Sequence, residues 1–220
     1  AEDGIRDNIP SLVGSEMCIR DSWETVYGSK TFSDVSWFQP RPERSLQLVE
    51  RTAVDKSDAI IDIGGGASTL VDHLLDDGFT DITVLDISGK ALRQAQGRLG
   101  AHAADVEWVE SDVTAFRPSR KWRLWHDRAA LHFLVDEQDR ERYVEVLKSA
   151  LEPGGHVVLA MFGPDGPLKC SGLEIRRYSI EMVEELLGSE FLLQCQELEN
   201  HITPMGSNQQ FLYSCWTRRE

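Results

Sequence analysis

At 220 residues, 41% of them hydrophobic, the chain can bury one full core, and it contains no run of about 18 apolar residues that would cross a membrane. Lysine and arginine total 23 against 37 aspartate and glutamate, a formal net charge of -14, so there is no basic stripe for nucleic acid and none is expected as a partner. Cys18, Cys170, Cys195 and Cys215 form no Cys-x-x-Cys pair and no metal-ligand spacing, which argues against a zinc site or disulfide scaffold and fits reduced thiols in a cytoplasmic protein.

The first stretch, 1–22, lacks the basic start and apolar core of a signal peptide. Its residues 11–21 resemble a translated sequencing-adapter read-through, so 1–22 is expected to be disordered and without function, leaving 23–220 as one domain. Pro42 sits where the first turn of a helix tolerates it, with Leu46, Val49 and Ala53 on one face. Residues 59–63, 82–86, 106–109, 122–126 and 156–162 then read as strands. Between them, Leu70, Val71, Leu74 and Leu75 share a helical face, as do Ala91, Leu92, Ala95 and Leu99, and later Tyr143, Val144, Leu147, Ala150 and Leu151. This alternation predicts an α/β domain with a mostly parallel sheet covered by helices on both faces.

Ser179 is placed to cap a further helix carrying Ile180, Val183, Leu186 and Leu187, which Gly188 stops. After it, 191–199 and 210–217 read as strands with only a turn-rich segment between them, which predicts a terminal antiparallel hairpin. Dehydrogenase-type Rossmann domains continue instead with a sixth parallel strand.

The strongest local signal is Ile60-Ile61-Asp62-Ile63-Gly64-Gly65-Gly66, an apolar strand running through a glycine turn into a helix. A side chain at those glycines would keep the backbone from closing on a ligand, and the helix start offers free N–H groups. The plain alternative is a tight strand-to-helix turn with no ligand. Asp86 ends the second strand 20 residues after Gly66, where a carboxylate can accept ribose hydroxyls. Asp112 follows the third strand and could accept from an adenine amino group. Each acid alone suits a turn or cap, but three at successive strand ends line one crevice and point to an adenosine site. A dinucleotide fingerprint would place a further glycine where this chain has Thr69, and no P-loop Gly-Lys-Ser/Thr follows. Asp62 would repel a pyrophosphate but suits an ammonium or sulfonium.

This pattern resembles the class I S-adenosylmethionine-dependent methyltransferases across residues 23–220. Their first motif matches Asp62 to Gly66, their ribose acid Asp86 and their adenine-side acid Asp112. Leu151-Glu152-Pro153-Gly154-Gly155 is similar to their turn before the fifth strand. The resemblance implies a seven-stranded Rossmann-like sheet in the order 3-2-1-4-5-7-6, and S-adenosyl-L-methionine held by Asp62, Gly64, Gly65, Gly66, Asp86, Ile87, Asp112, Val113 and His126. The Asn/Asp-Pro-Pro-Tyr loop of many amino-group methyltransferases is absent, and the acceptor stays open between a small molecule and a protein side chain. The lead-in segments 23–27 and 36–40 resemble a group of small bacterial methyltransferases and, more distantly, protein-lysine methyltransferases of the methyltransferase-like kind. No obligate partner is implied.

Trp37 and Phe38 could close over the cofactor as an aromatic lid favouring the sulfonium, or simply pack the N-terminal segment onto the sheet. Loop residues 169–172 and 201–204, His201 among them, either border the acceptor or face solvent. In this fold the end of the fourth strand faces the transferred methyl, which makes His126, Asp127 and His132 the catalytic candidates and Arg128 a candidate for holding the acceptor. His132 has an unperturbed pKa near 6.5, suited to a base at neutral pH, and Asp127 could orient the acceptor or a histidine. The alternative for His132 is packing under the next helix. Two competing functions are a non-catalytic methyltransferase-like binding protein and a nicotinamide-dependent oxidoreductase.

Overall fold

The computed structural model describes residues 13–29, 35–203 and 206–220, with residues 13–18 described by backbone only. A seven-stranded sheet forms the centre. Its strands are β1 (Ile60–Ile63), β2 (Ile82–Asp86), β3 (Val106–Glu110), β4 (Trp122–Arg128) and β5 (Leu151–Phe162), and the closing pair is β8 (Phe191–Ile202) and β9 (Asn208–Arg218). A two-stranded hairpin, β6 (Lys169–Cys170) and β7 (Leu173–Glu174), lies between β5 and β8 and was not legible in the sequence.

The order in the large sheet is β3-β2-β1-β4-β5-β9-β8, with β1 to β5 parallel and β9 antiparallel to both β5 and β8. Counting long strands alone, this is the expected 3-2-1-4-5-7-6. Every residue of β1 and β2 is buried, as central parallel strands covered on both faces require. The helices α2 (Glu43–Arg51), α3 (Leu70–Asp76) and α4 (Gly89–Leu99) place Leu46, Leu70, Leu74 and Leu92 in one core on the first face of the sheet. On the other face, α5 (Glu137–Ala150) and α6 (Ile180–Leu187) pack Tyr143, Leu147, Val183 and Leu187 against Trp125, Val157 and Leu159. Among the described residues no helix is long and apolar enough to cross a membrane.

Four expectations need correction. Helix α1 runs Val13–Ser29, so 13–22 is helical rather than disordered, and 1–12 lies outside the described residues. What holds α1 is its docking on the start of α4: Glu24 accepts from Ser88 Oγ (2.7 Å) and Lys90 N (3.1 Å), and Gln94 Nε2 donates to the carbonyl of Tyr27 (2.9 Å). Strand β4 continues past His126 to Arg128, because pairing with β5 extends to Arg128 opposite Ala160. Strand β5 begins at Leu151 rather than His156, through Trp122 paired with Leu151, so the Pro-Gly-Gly turn is an irregularity within the strand. Finally, α2 ends at Arg51 and leaves Ala53 beyond the helix with φ 54°.

The order reverses between β1 and β4, whose carboxyl ends open a crevice at the top of the sheet. Over that crevice lie α1 and the segment 35–38, through a small cluster of Tyr27, Val35, Ala67 and Ala91 with Trp23, Trp37 and Phe38.

Candidate cofactor and acceptor site

One cavity occupies the crevice, and its cofactor side is built on the glycine turn after β1. Gly64 has φ 67° and donates its N–H to the carbonyl of Leu85 (2.8 Å), so the chain reverses tightly against β2. A Cβ on Gly65 would collide with Asp62 Oδ2, and one on Gly66 would stand 2.6 Å from both Ala91 Cβ and Asp86 Oδ2. The glycines are therefore required by the two carboxylates that press on the turn.

Asp86 is held by the backbone on both oxygens: Gly66 N donates to Oδ2 (2.9 Å) and Ser88 N to Oδ1 (2.8 Å). Each oxygen keeps a further lone pair for a ligand hydroxyl. Burial pushes the Asp86 carboxyl up to about 6, against the two N–H groups that favour its charge. Asp112 accepts from both the N–H and the hydroxyl of Thr114 (2.7 Å each) through one oxygen, which fixes its side chain at the cavity wall beside Val113. Asp62 accepts from Nδ1 of His126 (2.6 Å), whose Nε2 meets Ser45 Oγ of α2 (2.9 Å). All three are buried, Ser45 lies outside the cavity wall, and Asp62 Oδ2 is left without a partner among the described residues.

The other side of the cavity is aromatic. Trp23 and Tyr27 of α1 and Trp37 meet one another at ring separations of 5.5 to 6.3 Å, and Trp23 stands edge-on to Phe133 at 5.0 Å. Phe162, Phe211 and Cys170 line the wall beneath, and burial pushes the Cys170 thiol up to about 11, so it is neutral. Arg128 enters from β4. It donates through Nε to Tyr213 OH (3.2 Å) and through Nη1 to the carbonyl of Trp37 (3.0 Å), and its guanidinium lies over Phe211 at 5.1 Å. Its Nη2 is buried with no partner.

The acids at three successive strand ends, with a partnerless carboxylate oxygen beside the glycine turn, fit a ligand carrying an ammonium and ribose hydroxyls. Residues 60–155 match the family described as "Methyltransferase domain". The chain is 22% identical over 139 residues to malonyl-[acyl-carrier protein] O-methyltransferase 2 of Ilyobacter polytropus, covering 63% of this chain and 52% of that one. It is 23% identical over 135 residues to the eEF1A lysine and N-terminal methyltransferase of Mus musculus, covering 61% and 19%. The alignments thus span about half of the first relative and about a fifth of the second. The fold is similar to that of 1,6-didemethyltoxoflavin-N1-methyltransferase of Burkholderia thailandensis, solved with 1,6-didemethyltoxoflavin and S-adenosylhomocysteine, at a TM-score of 0.72, 16% identity and coverage of 100% and 94%.

Residues 60–155 thus carry a methyltransferase domain, and the fold is similar to those of solved S-adenosylmethionine-dependent methyltransferases. The acids around the glycine turn fit S-adenosylmethionine better than a nicotinamide dinucleotide, and solved neighbours of this fold hold S-adenosylhomocysteine.

Of the residues that the sequence assigned to a methyl-donor cofactor, Asp62, Gly64, Gly65, Asp86, Ile87, Asp112, Val113 and His126 line the cavity, and Gly66 backs it by holding Asp86. Trp37 and Phe38 line it too, and Trp37 packs against Trp23 and Tyr27, as the packing alternative expected. Four assignments are corrected. Asp127 points to the opposite face of β4 from His126 and Arg128, where it accepts from Tyr143 OH (2.7 Å), Ala130 N (2.8 Å) and Leu131 N (3.1 Å). It pins the turn after β4 and is absent from the cavity wall, and burial pushes its carboxyl up to about 6.

His132 reaches the cavity wall but cannot be a base at neutral pH. It is fully buried, stacked on Phe162 at 4.5 Å, and accepts the N–H of Phe162 on Nδ1 (3.3 Å). Burial, aided by the charge of Arg128, lowers its pKa to about 3. The remaining nitrogen is therefore a neutral Nε2–H donor, and it has no partner. His201 does not border the cavity: its Nε2 bonds the carbonyl of Ser36 (2.9 Å) and ties the 35–38 segment to β8. His126 lines the cavity with both ring nitrogens engaged, which makes it a support for Asp62.

Sequence reasoning missed Ser45, Trp23 and Tyr27 as parts of the site. The i, i+4 spacing of Trp23 and Tyr27 was a usable signal, since it puts both rings on one helical face. Nothing in the sequence linked Ser45 to His126.

Proposed function

We propose that this protein is an enzyme that transfers a methyl group from S-adenosylmethionine to a small-molecule acceptor bound beside it in the same cavity. The observation that carries this reading is the continuity of the cavity, from the acids around the glycine turn to the aromatic chamber under α1. S-adenosylmethionine supplies an electrophilic methyl on a sulfonium, and its loss as a neutral thioether needs no acid. Methyl transfer then asks the protein for alignment and exclusion of water. Asp86 and Asp112 would hold the ribose and adenine, and Asp62 Oδ2 the ammonium. Trp37, Trp23 and Phe133 keep water out of the chamber.

A small molecule is favoured over a protein side chain because α1 and the 35–38 segment lie across the chamber. The relatives' names cover a malonyl-[acyl-carrier protein], a protein lysine and N-terminus, and a toxoflavin precursor, so no acceptor is carried over from them. Neither Asp127 nor His132 is placed to take a proton. The acceptor's nucleophile therefore arrives with a free lone pair, and any proton it carries goes to solvent after transfer.

Incubation with S-adenosylmethionine labelled in the methyl group, against cell extract separated into small molecules, protein and nucleic acid, tests this. Label is expected in the small-molecule fraction. Label in protein or nucleic acid instead would overturn the acceptor assignment. Tight S-adenosylhomocysteine binding with no methyl consumption in any fraction would favour a non-catalytic binding protein.

A further inference from the structure

The aromatic side of the cavity holds two buried hydrogen-bond donors that the protein does not satisfy. Arg128 uses Nε and Nη1 on Tyr213 and Trp37 and leaves Nη2 buried and bare. His132, wholly buried, spends Nδ1 on Phe162 and leaves Nε2–H bare. Both residues line the same cavity, and His132 is close enough to feel the charge of Arg128. An unpartnered buried guanidinium nitrogen is costly, and one that faces a cavity calls for a partner that the protein itself does not supply.

The chain carries a net charge of -14, yet among the described residues no Asp or Glu oxygen lies within salt-bridge distance of Arg128. Its neighbours are instead neutral: the Cys170 thiol, the His132 imidazole and the rings of Phe162 and Phe211. A cation isolated from acids in an aromatic chamber selects an anion with flat apolar bulk. With a single guanidinium and one imidazole N–H as donors, the match is a planar two-oxygen anion rather than a phosphate, which gathers more donors.

From this geometry we infer that the methyl acceptor is an aromatic carboxylate, anchored through its carboxylate by Arg128 Nη2 and His132 Nε2–H with its ring against Phe133, Phe162 and Phe211. The inference rests on the methyl-transfer reading and adds the acceptor's class. A second source of the same chemistry is the amino-acid carboxylate of the cofactor itself, and the experiment separates the two.

Calorimetry on the full chain, first with S-adenosylhomocysteine and then with the saturated complex, provides the test. The titrants are benzoate, phenylacetate and cinnamate, each against its amide. At least one carboxylate is expected to bind, with its amide at least about tenfold weaker, because the charge-assisted bonds are lost. Arg128→Gln is expected to erase that preference while S-adenosylhomocysteine affinity stays within about threefold, and Arg128→Lys to restore part of it. Equal binding of acids and amides, or no binding of either, overturns the proposal without any variant. A loss of S-adenosylhomocysteine affinity beyond about tenfold in a folded Arg128→Gln protein also overturns it, by assigning the guanidinium to the cofactor. Failure of the wild type to bind S-adenosylhomocysteine at all would instead sink the methyltransferase reading, and this one with it.

Discussion

The two sides of the cavity solve opposite problems. At the ends of β1, β2 and β3 the polar groups are carboxylates, three of the six oxygens of Asp62, Asp86 and Asp112 accept from backbone N–H groups, and the buried bare atom among them is an acceptor, Asp62 Oδ2. At the end of β4 the walls are aromatic and the bare atoms are donors, Arg128 Nη2 and His132 Nε2. A ligand of ammonium and hydroxyls is complementary to the first side, and an anion to the second. Asp86 and Asp112 are fixed by backbone N–H groups no more than 20 residues away, whereas Arg128 and His132 depend on partners 30 to 91 residues away. That difference explains why the cofactor side reads as a family trait and the acceptor side as this chain's own.

The largest expected effect comes from destroying the glycine turn. Gly64→Val would force a β-branched residue into φ 67° and drive its Cβ toward Ala130, where even alanine would approach to 2.9 Å. S-adenosylhomocysteine affinity should fall by about 100-fold or more and the melting temperature should drop, since strained φ values cost about 1–3 kcal/mol before any clash. Near-normal binding in that variant would mean that the turn does not approach the ligand.

Asp127 sharpens the comparison from outside it, because it serves neither side. Asp127→Ala strands Tyr143 OH and two backbone N–H groups and should destabilise the fold by about 2–4 kcal/mol in denaturant unfolding. Cofactor affinity of the folded fraction should stay within a few-fold of wild type. A specific loss of turnover with unchanged stability would return Asp127 to catalysis.

Asp86→Ala should weaken S-adenosylhomocysteine binding by about 1.5–3 kcal/mol, read by calorimetry. In wild type the affinity should decline as pH falls through about 6, where the buried carboxyl takes up a proton and offers fewer acceptor sites. Stability runs the other way. The Asp86 carboxyl is raised from 3.8 to about 6 on folding, so its contribution is fully present below about pH 3.8 and is lost as pH rises through about 6. Asp86→Asn should remove this residue's part of both pH dependences, and binding that still tracks the same ionisation in that variant would assign it elsewhere.

The smallest effect is expected at Ser45→Ala, which removes the hydroxyl at His126 Nε2 and loosens the support of Asp62. A change of about 0.5–1.5 kcal/mol in cofactor affinity is the scale of one neutral hydrogen bond. An unaltered affinity would show that Asp62 is held by the turn alone.

The sequence located β2 to the residue and found the other long strands within a few positions, and it anticipated the terminal hairpin and its place in the sheet. The errors at strand ends had consequences. Ending β4 at His126 hid the alternation that sends His126 and Arg128 to one face and Asp127 to the other, since side-chain parity applies only within a strand. The hairpin of β6 and β7, turning on Ser171 and Gly172 at φ 51° and 81°, is too short to leave a periodic signal. The adapter-like stretch reads as an outlier by composition, yet 13–22 is helical because the same helix continues into Glu24 and Tyr27, which dock on α4.

What the sequence determined by itself is the fold and the cofactor side, because both are carried by local patterns: apolar strands, a glycine turn, and acids whose position at a strand end dictates where they point. What the tertiary structure alone decided is which ionisable groups are free to act. His132 is a donor because the N–H of Phe162, 30 residues away, occupies its other nitrogen. His126 is a support because Asp62 and Ser45, 64 and 81 residues away, close both of its nitrogens. Protonation and hydrogen-bond capacity depend on burial and on partners brought together from distant strands, and residue spacing along a chain does not encode which partners those are.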